Sequence, residues 1–258
     1  MTASAVLTPV LVRLASVTAT TRFLLRALAT VPRCLLDPRV ILDEAHTVGV
    51  SSLPVVAITS AFAGTVIAVQ GYQTFRQFGA QDMVGLFVSL AGLREMAPIL
   101  AAAMVASKAG AAITSDLAAM KNGQQIDAME VMAVDPLQRL VAPKLVALLV
   151  VLPALTVIAS FLTILAAGLV AVFQLGVEGA WFLGNVDDWL GPEDLYKSLL
   201  KSVLFVFFIW GTSCWQGFAA GPGPEGVGRA TNRAIVIQVL LILIGNVLLT
   251  AVLYTGMH

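Results

Sequence analysis

The chain has 258 residues, of which 59% are hydrophobic and only 12% are charged, and its mean hydropathy is +0.92. These values exclude a soluble domain of ordinary composition, and the sequence predicts an all-α integral membrane protein. The formal net charge is zero, so neither nucleic acid nor another polyanion is expected as a partner.

The first predicted element is an amphipathic helix over residues 4–31. Leucines and valines share one face at the helical period, while Arg22 and Arg26, spaced i and i+4, project from another. This pattern is typical of a helix lying in the membrane interface, and the arginines argue against a spanning helix. A cleaved or disordered leader and a sixth span are the alternatives. We assign residues 1–44 to this interfacial helix and its linker.

Five apolar stretches follow and predict a transmembrane domain over residues 45–258. Four of them carry no charge and exceed the ~20 residues that a helix needs to cross the hydrocarbon layer. These four are 45–75, 145–177, 202–224 and 234–257. The remaining stretch, 83–107, is interrupted by Arg94 and Glu95. The sequence therefore predicts five transmembrane helices.

The basic residues of the predicted loops indicate the orientation of the chain. With a cytoplasmic N-terminus, residues 1–47, 108–144 and 217–233 lie inside and hold five, four and two of the 15 Lys and Arg residues. The opposite side keeps Arg76 and an acidic loop over 176–196. Because short cytoplasmic loops are enriched in Lys and Arg, we expect the N-terminus in the cytoplasm and the C-terminus on the far side.

The segment NGQQIDAMEVMAVDP, residues 122–136, is too short to cross a membrane and too apolar for an ordinary loop. Asn-Gly and Asp-Pro bound it, and the residues between them predict a helix of only ~15 Å. Ile126, Met129 and Ala133 line one side, whereas Asp127 and Glu130 form an acidic edge. Methionines suit adaptable contacts, so we interpret this helix as a docking element. A helix that packs only on its own spans is the alternative.

Residues 110–144, GAAITSDLAAMKNGQQIDAMEVMAVDPLQRLVAPK, resemble the signature region of MlaE/YrbE permeases, the membrane subunits of MCE-associated ABC lipid transporters. The resemblance includes LREMAPIL at 93–100, KSVLFVFF at 201–208 and GVGRATNRAIV at 226–236, and it covers most of the chain from about residue 45 onward. Met96 replaces the usual leucine and Lys108 the usual arginine; neither departure changes size or charge seriously.

The resemblance implies a homodimeric permease of the bacterial inner membrane that transports phospholipid between this membrane and the outer envelope. It also implies two copies of an ABC ATPase subunit on the cytoplasmic face, which bind ATP and Mg, and an MCE-domain protein on the far face. The family's coupling helix corresponds to residues 124–134. The implied ATPase contacts are Ile126, Asp127, Met129, Glu130, Met132 and Arg139.

Arg94, Glu95 and Lys201 are the candidate substrate-path residues. Ionisable side chains inside a span are costly unless partnered or wet, so they normally face the bundle interior or a cavity. One interpretation is a structural ion pair that fixes helix packing. The other is a polar lining that holds a lipid headgroup, which the resemblance favours.

No catalytic or nucleotide-binding motif occurs in the chain. GxxxxGK[ST], HExxH and GxSxG are absent, and Cys34 and Cys214 form no metal-binding cluster with histidine. The glycine-rich stretch 217–234 fits no nucleotide fingerprint and is interpreted as a mobile turn with Arg229 and Arg233 near anionic headgroups. We therefore expect no enzyme activity and no cofactor in this chain. A secondary transporter and a membrane scaffold are the alternative functions.

Overall fold

A computed structural model describes residues 26, 30 and 38–255, and this part of the chain is built from helices without strands. The helices are α1 (Pro38–Arg76), α2 (Val84–Asn122), α3 (Gln125–Val131), α4 (Leu137–Phe173), α5 (Gly179–Trp189), α6 (Pro192–Phe218) and α7 (Gly223–Thr255). Helix α2 contains π-helical segments at Val88–Met96 and Ala106–Gly110, and α4 begins with another at Leu137–Val141.

Helices α1, α2, α4, α6 and α7 are long and apolar enough to cross a membrane, so the prediction of five transmembrane helices is confirmed. Helical structure lets most backbone groups of a span bond within the same span, as lipid requires. Small polar side chains inside the spans also bond locally; Thr156, for example, donates to the carbonyl of Leu152 at 2.9 Å. The predicted interfacial helix at 4–31 lies outside the described residues apart from residues 26 and 30.

The connecting elements lie at two opposite ends of the bundle. At one end, which we call the α3 end, the last residues of α2 contact the turn between α6 and α7. At the other, the α5 end, Phe182 of α5 is buried against Gly85 of α2 and Gly168 of α4. The helices therefore alternate in direction, as their short connections require.

The predicted acidic loop at 176–196 is wrong in its secondary structure. Residues Gly179–Trp189 form α5, and α6 already begins at Pro192, ten residues before the charge-free stretch from which the span was predicted. Asp194 is buried rather than solvated. An early helix start is stable because acidic residues in the first turn favour the helix dipole and because the charges of α6 find partners.

The predicted mobile turn at 217–234 is also wrong for most of its length. Helix α6 continues to Phe218 and α7 starts at Gly223, so only residues 219–222 connect them. Gly221 and Gly226 approach so closely that a Cβ on Gly226 would lie 2.2 Å from the carbonyl oxygen of Gly221. The glycines in this stretch thus permit a tight turn between two helices.

One close contact between spans lies where α1 crosses α4. A Cβ added at Gly64 would lie 2.1 Å from the carbonyl oxygen of Thr163, and the hydroxyl of Thr163 donates to the carbonyl of Ser60 at 3.2 Å. Small residues allow helices in lipid to pack this closely, and packing is what drives their association there.

We expect Gly64→Ala to lower the free energy of unfolding by about 3 kcal/mol, the upper end for overpacking, because the obstacle is backbone rather than a movable side chain. Thermal denaturation in detergent would measure the loss. Gly184→Ala is the matched control, since a Cβ there meets nothing within 4 Å. Equal midpoints for the two variants would contradict the proposed close contact.

Candidate functional site

Three spans bring eight polar side chains to one region of the bundle, which we call the ionic site. Helix α2 supplies adjacent residues at the end of its first π-helical segment, α6 supplies a face at i, i+3 and i+7, and α7 supplies a face at i, i+4 and i+8. The members are Arg94 and Glu95 from α2, Asp194, Lys197 and Lys201 from α6, and Asn246, Thr250 and Tyr254 from α7.

Lys201 is the centre of the ionic site, and its side chain is completely buried. Its amine donates to the carbonyl of Arg94 at 2.9 Å, to Glu95 Oε1 at 3.0 Å and to Thr250 Oγ1 at 2.8 Å. A lysine ammonium has three N–H donors, so these contacts account for all of them. Lys201 therefore holds the three spans together and has no donor left for a ligand in this arrangement.

The carbonyl of Arg94 is available to Lys201 for a reason that lies in the sequence. In an α-helix it would accept the amide of residue 98, but residue 98 is proline, which has no N–H. The preceding segment is π-helical, with the amide of Ala97 bonded to the carbonyl of Gly92. A side chain reaching in from α6 thus satisfies a carbonyl that the irregular helix leaves without its usual donor.

Glu95 also accepts hydrogen bonds from two side chains of α7. Asn246 Nδ2 donates to its Oε2 at 2.7 Å, and the Thr250 hydroxyl donates to its Oε1 at 2.9 Å. The Glu95 side chain is 28% exposed. Removing one partner of such a pair is strongly destabilising, because it leaves the other charge uncompensated in a poorly hydrated place.

Arg94 pairs with an acid that the sequence did not reveal as a partner. Its Nε and Nη2 donate to Asp194 Oδ1 and Oδ2 at 2.8 and 2.9 Å, a bidentate contact, while 28% of the side chain stays exposed. The structure thus brings Arg94, Glu95 and Lys201 together, with Glu95 paired to Lys201 and Arg94 paired to Asp194.

The residues of α7 were missed by sequence reasoning. Asn246, Thr250 and Tyr254 recur every four residues in an otherwise apolar helix, so they share a face. A search for polar side chains at helical spacing inside uncharged spans would have found this ladder.

The helix predicted at 124–134 is present but shorter, covering Gln125–Val131. Two non-glycine residues with left-handed backbone flank it, Gln124 at φ 56° and Ala133 at φ 58°. Such strained positions persist only where the surroundings enforce them. The chain therefore turns sharply on both sides of a single projecting helix.

Helix α3 divides the predicted contact residues into two groups. Ile126 is buried and Met129 half-buried, so Ile126 anchors α3 to its own chain and offers no surface for a groove contact. Met132 is 67% exposed, and its neighbour Val131, which the predicted contacts do not include, is 88% exposed. Asp127, Glu130 and Arg139 are exposed. The exposed apolar surface therefore lies at the end of α3.

Lys121, near the end of α2, links this helix to the end of α6 and to the turn that follows it. Its amine donates to the carbonyls of Phe218 and Ala220 at 2.7 and 3.0 Å, where α6 ends and has carbonyls without intrahelical donors. Asn122 Nδ2 donates to the carbonyl of Gly223 at 3.4 Å. A force on α3 would thus reach α6 and α7 as well as α2.

The bundle has five helices long and apolar enough to cross a membrane, an ionic site between three of them and one projecting helix at an end, and this is the architecture of a multi-pass membrane protein. Residues 41–252 match the Permease MlaE family, and the chain belongs to this family.

Three relatives illustrate the family. The intermembrane phospholipid transport system permease protein MlaE of Haemophilus influenzae is 31% identical over 217 residues, which cover 83% of this chain and 82% of that protein. A probable ABC transporter permease protein of Rickettsia prowazekii is 36% identical over 207 residues, 80% of each chain. Another from Synechocystis is 32% identical over 216 residues, 83% of this chain and 82% of that protein.

Proposed function

We propose that this protein is the permease subunit of an ATP-driven transporter that moves phospholipid between the inner membrane and the outer envelope. Family membership and the name of the Haemophilus relative support the substrate class. The single observation that carries the proposal within this chain is the ionic site. Charged residues are expensive within a span and mark substrate pathways there.

In this proposal some residues of the ionic site hold the helices together and another contacts the lipid headgroup. Lys201 uses all three of its donors, Glu95 bonds to side chains of α6 and α7, and together they hold α2, α6 and α7 in place. Arg94 is partly exposed, and its bidentate contact to Asp194 uses only two of its five N–H groups. Arg94 is thus the residue suited to contact a phosphate, while the acyl chains stay against apolar helix surfaces.

Energy for transport would come from a partner, since the sequence holds no nucleotide-binding motif. In this proposal α3 docks on an ABC ATPase subunit that binds ATP and Mg, with Val131 and Met132 as the apolar contact and Asp127, Glu130 and Arg139 around it. Lys121 would pass the movement of α3 to α6 and α7.

The remaining parts of the assembly follow from the same proposal. The α3 end faces the cytoplasm, together with the N-terminus, and the α5 end faces outward, where an MCE-domain protein binds. Helix α7 exposes a long apolar face, which includes Leu240, Ile244 and Val247, and a second copy of the chain would bury part of it. A homodimer would also enclose a larger apolar space than one copy can, as a two-tailed lipid requires.

Lipid retention tests this function. We expect the complex purified with its ATPase to retain phospholipid, and Arg94→Gln to lower the retained amount about tenfold, because a charge-assisted contact to phosphate is lost. Mass spectrometry of extracted lipid gives the measurement, and Arg76→Gln, an exposed arginine at the end of α1, is the control. Wild-type retention in Arg94→Gln with normal assembly would overturn the role of Arg94.

A further inference from the structure

Tyr254 stands at the outer end of the polar ladder on α7 and contacts three cations at once. Its ring centroid lies 5.2 Å from Arg94 Cζ, 5.0 Å from Lys197 Nζ and 5.3 Å from Lys201 Nζ. The three cationic groups come from two different helices, α2 and α6. The ring is therefore the point on which the positive charge of the ionic site converges.

Cations gathered this closely repel one another, and two kinds of contact offset the repulsion. Glu95 and Asp194 are bonded to Lys201 and Arg94 directly. The negative face of an aromatic ring attracts each cation further, by roughly 0.5–2 kcal/mol depending on its hydration. Leucine at this position would fill space but would attract no cation, so the ring makes an electrostatic contribution that packing alone does not.

The tyrosine hydroxyl does not explain the residue. Within the described part of the chain, Tyr254 Oη is buried and has no hydrogen-bond partner. A buried hydroxyl without a partner is a cost of roughly 1–3 kcal/mol rather than a benefit. What Tyr254 contributes to the ionic site is its ring.

We propose that Tyr254 is a positioning residue whose ring holds Arg94 and Lys197 where they receive the phosphate of a lipid headgroup. The proposal rests on the proposed function and adds the residue that sets selectivity for phosphate. Without the ring, Arg94 keeps its bond to Asp194, but the cationic groups separate and the preference for a phosphorylated lipid falls.

A competition between two lipids with identical acyl chains tests the proposal. The purified complex is given equal amounts of dioleoyl phosphatidylglycerol and dioleoylglycerol, and the ratio retained is measured by mass spectrometry. We expect wild type to favour the phospholipid, and Tyr254→Leu to lower the ratio by about tenfold through lost cation–π contacts. Tyr254→Phe keeps the ring, so we expect it to show the wild-type ratio. Its thermal stability should equal or exceed that of wild type, because the hydroxyl it lacks has no hydrogen-bond partner.

A second variant separates electrostatics from shape. Pentafluorophenylalanine at position 254 keeps the ring but removes its negative face, so it should behave like leucine in the competition while assembling like phenylalanine. Soluble glycerol phosphate added in excess should leave the ratio unchanged if the ligand is a membrane lipid; displacement of the phospholipid would overturn that assignment. A wild-type ratio in the pentafluoro variant would overturn the role of Tyr254. Retention of neither lipid by wild type would instead contradict the proposed function itself.

Discussion

Lys201→Met is expected to destabilise the protein by about 3–5 kcal/mol, the cost of removing one partner from a buried ion pair. The change leaves Glu95 without its cation and the carbonyl of Arg94 without the amine that bonds to it. Thermal denaturation in detergent and the yield of folded protein measure the effect. A midpoint within a degree of wild type would contradict the central position of Lys201.

The double variant Glu95→Gln/Lys201→Met tests whether the uncompensated charge of Glu95 causes the loss of stability in Lys201→Met. Glutamine is neutral and still offers an acceptor to Asn246 and Thr250, so no unpaired charge remains. Replacing both members of a buried pair is often neutral for stability. We therefore expect the double variant to recover most of the stability lost in Lys201→Met. Failure to recover would mean that the loss comes from the unbonded carbonyl of Arg94 or from packing around the lysine stem, rather than from the charge of Glu95.

Val131→Asp/Met132→Asp is expected to weaken binding of the ATPase subunit by at least about 100-fold. Burying a large apolar side chain contributes roughly 1.5–3 kcal/mol, and an aspartate in the same groove also has to lose its hydration. Both residues are exposed, so the fold of the permease should stay intact. Co-purification and titration with the ATPase subunit would measure the loss.

Phe78→Asp is the matched control for this pair. Phe78 is 79% exposed and lies between α1 and α2 at the α5 end, far from α3. Its variant should bind the ATPase subunit as wild type does. If the α3 variant keeps wild-type ATPase binding, or if Phe78→Asp loses it equally, the docking role of α3 is wrong.

The five spans could be predicted because a helix in lipid needs ~20 apolar residues, and such runs are visible without tertiary information. The boundaries of α6 could not be predicted in the same way. Asp194 and Lys197 look like loop residues until their partners on α2 and α7 are known. A charged residue is excluded from a span only when its charge is unpaired. Pairing depends on the fold, so it is not visible in the sequence.

Three members of the ionic site could be predicted from the sequence, but their pairing could not. Arg94, Glu95 and Lys201 stood out because they interrupt or adjoin apolar sequence. Sequence spacing alone does not show which face of each helix meets which neighbour, so the Arg94–Asp194 pair and the contact of the α7 ladder with Glu95 could not be predicted. Helix α3 was recognisable from its bounding turns, whereas the burial of Ile126 depends on the packing of α3 against α2.

ATP-dependent transfer of a fluorescent phospholipid between reconstituted vesicles tests the account most directly, with the Glu95→Gln/Lys201→Met variant assembled on its ATPase. We expect this variant to be folded and to support ATP hydrolysis, but to transfer lipid at less than about a tenth of the wild-type rate, since the ionic site has lost its central ion pair and the amine that bonds the backbone carbonyl of Arg94. Transfer at the wild-type rate by the folded double variant would contradict the claim that the ionic site lies on the lipid path.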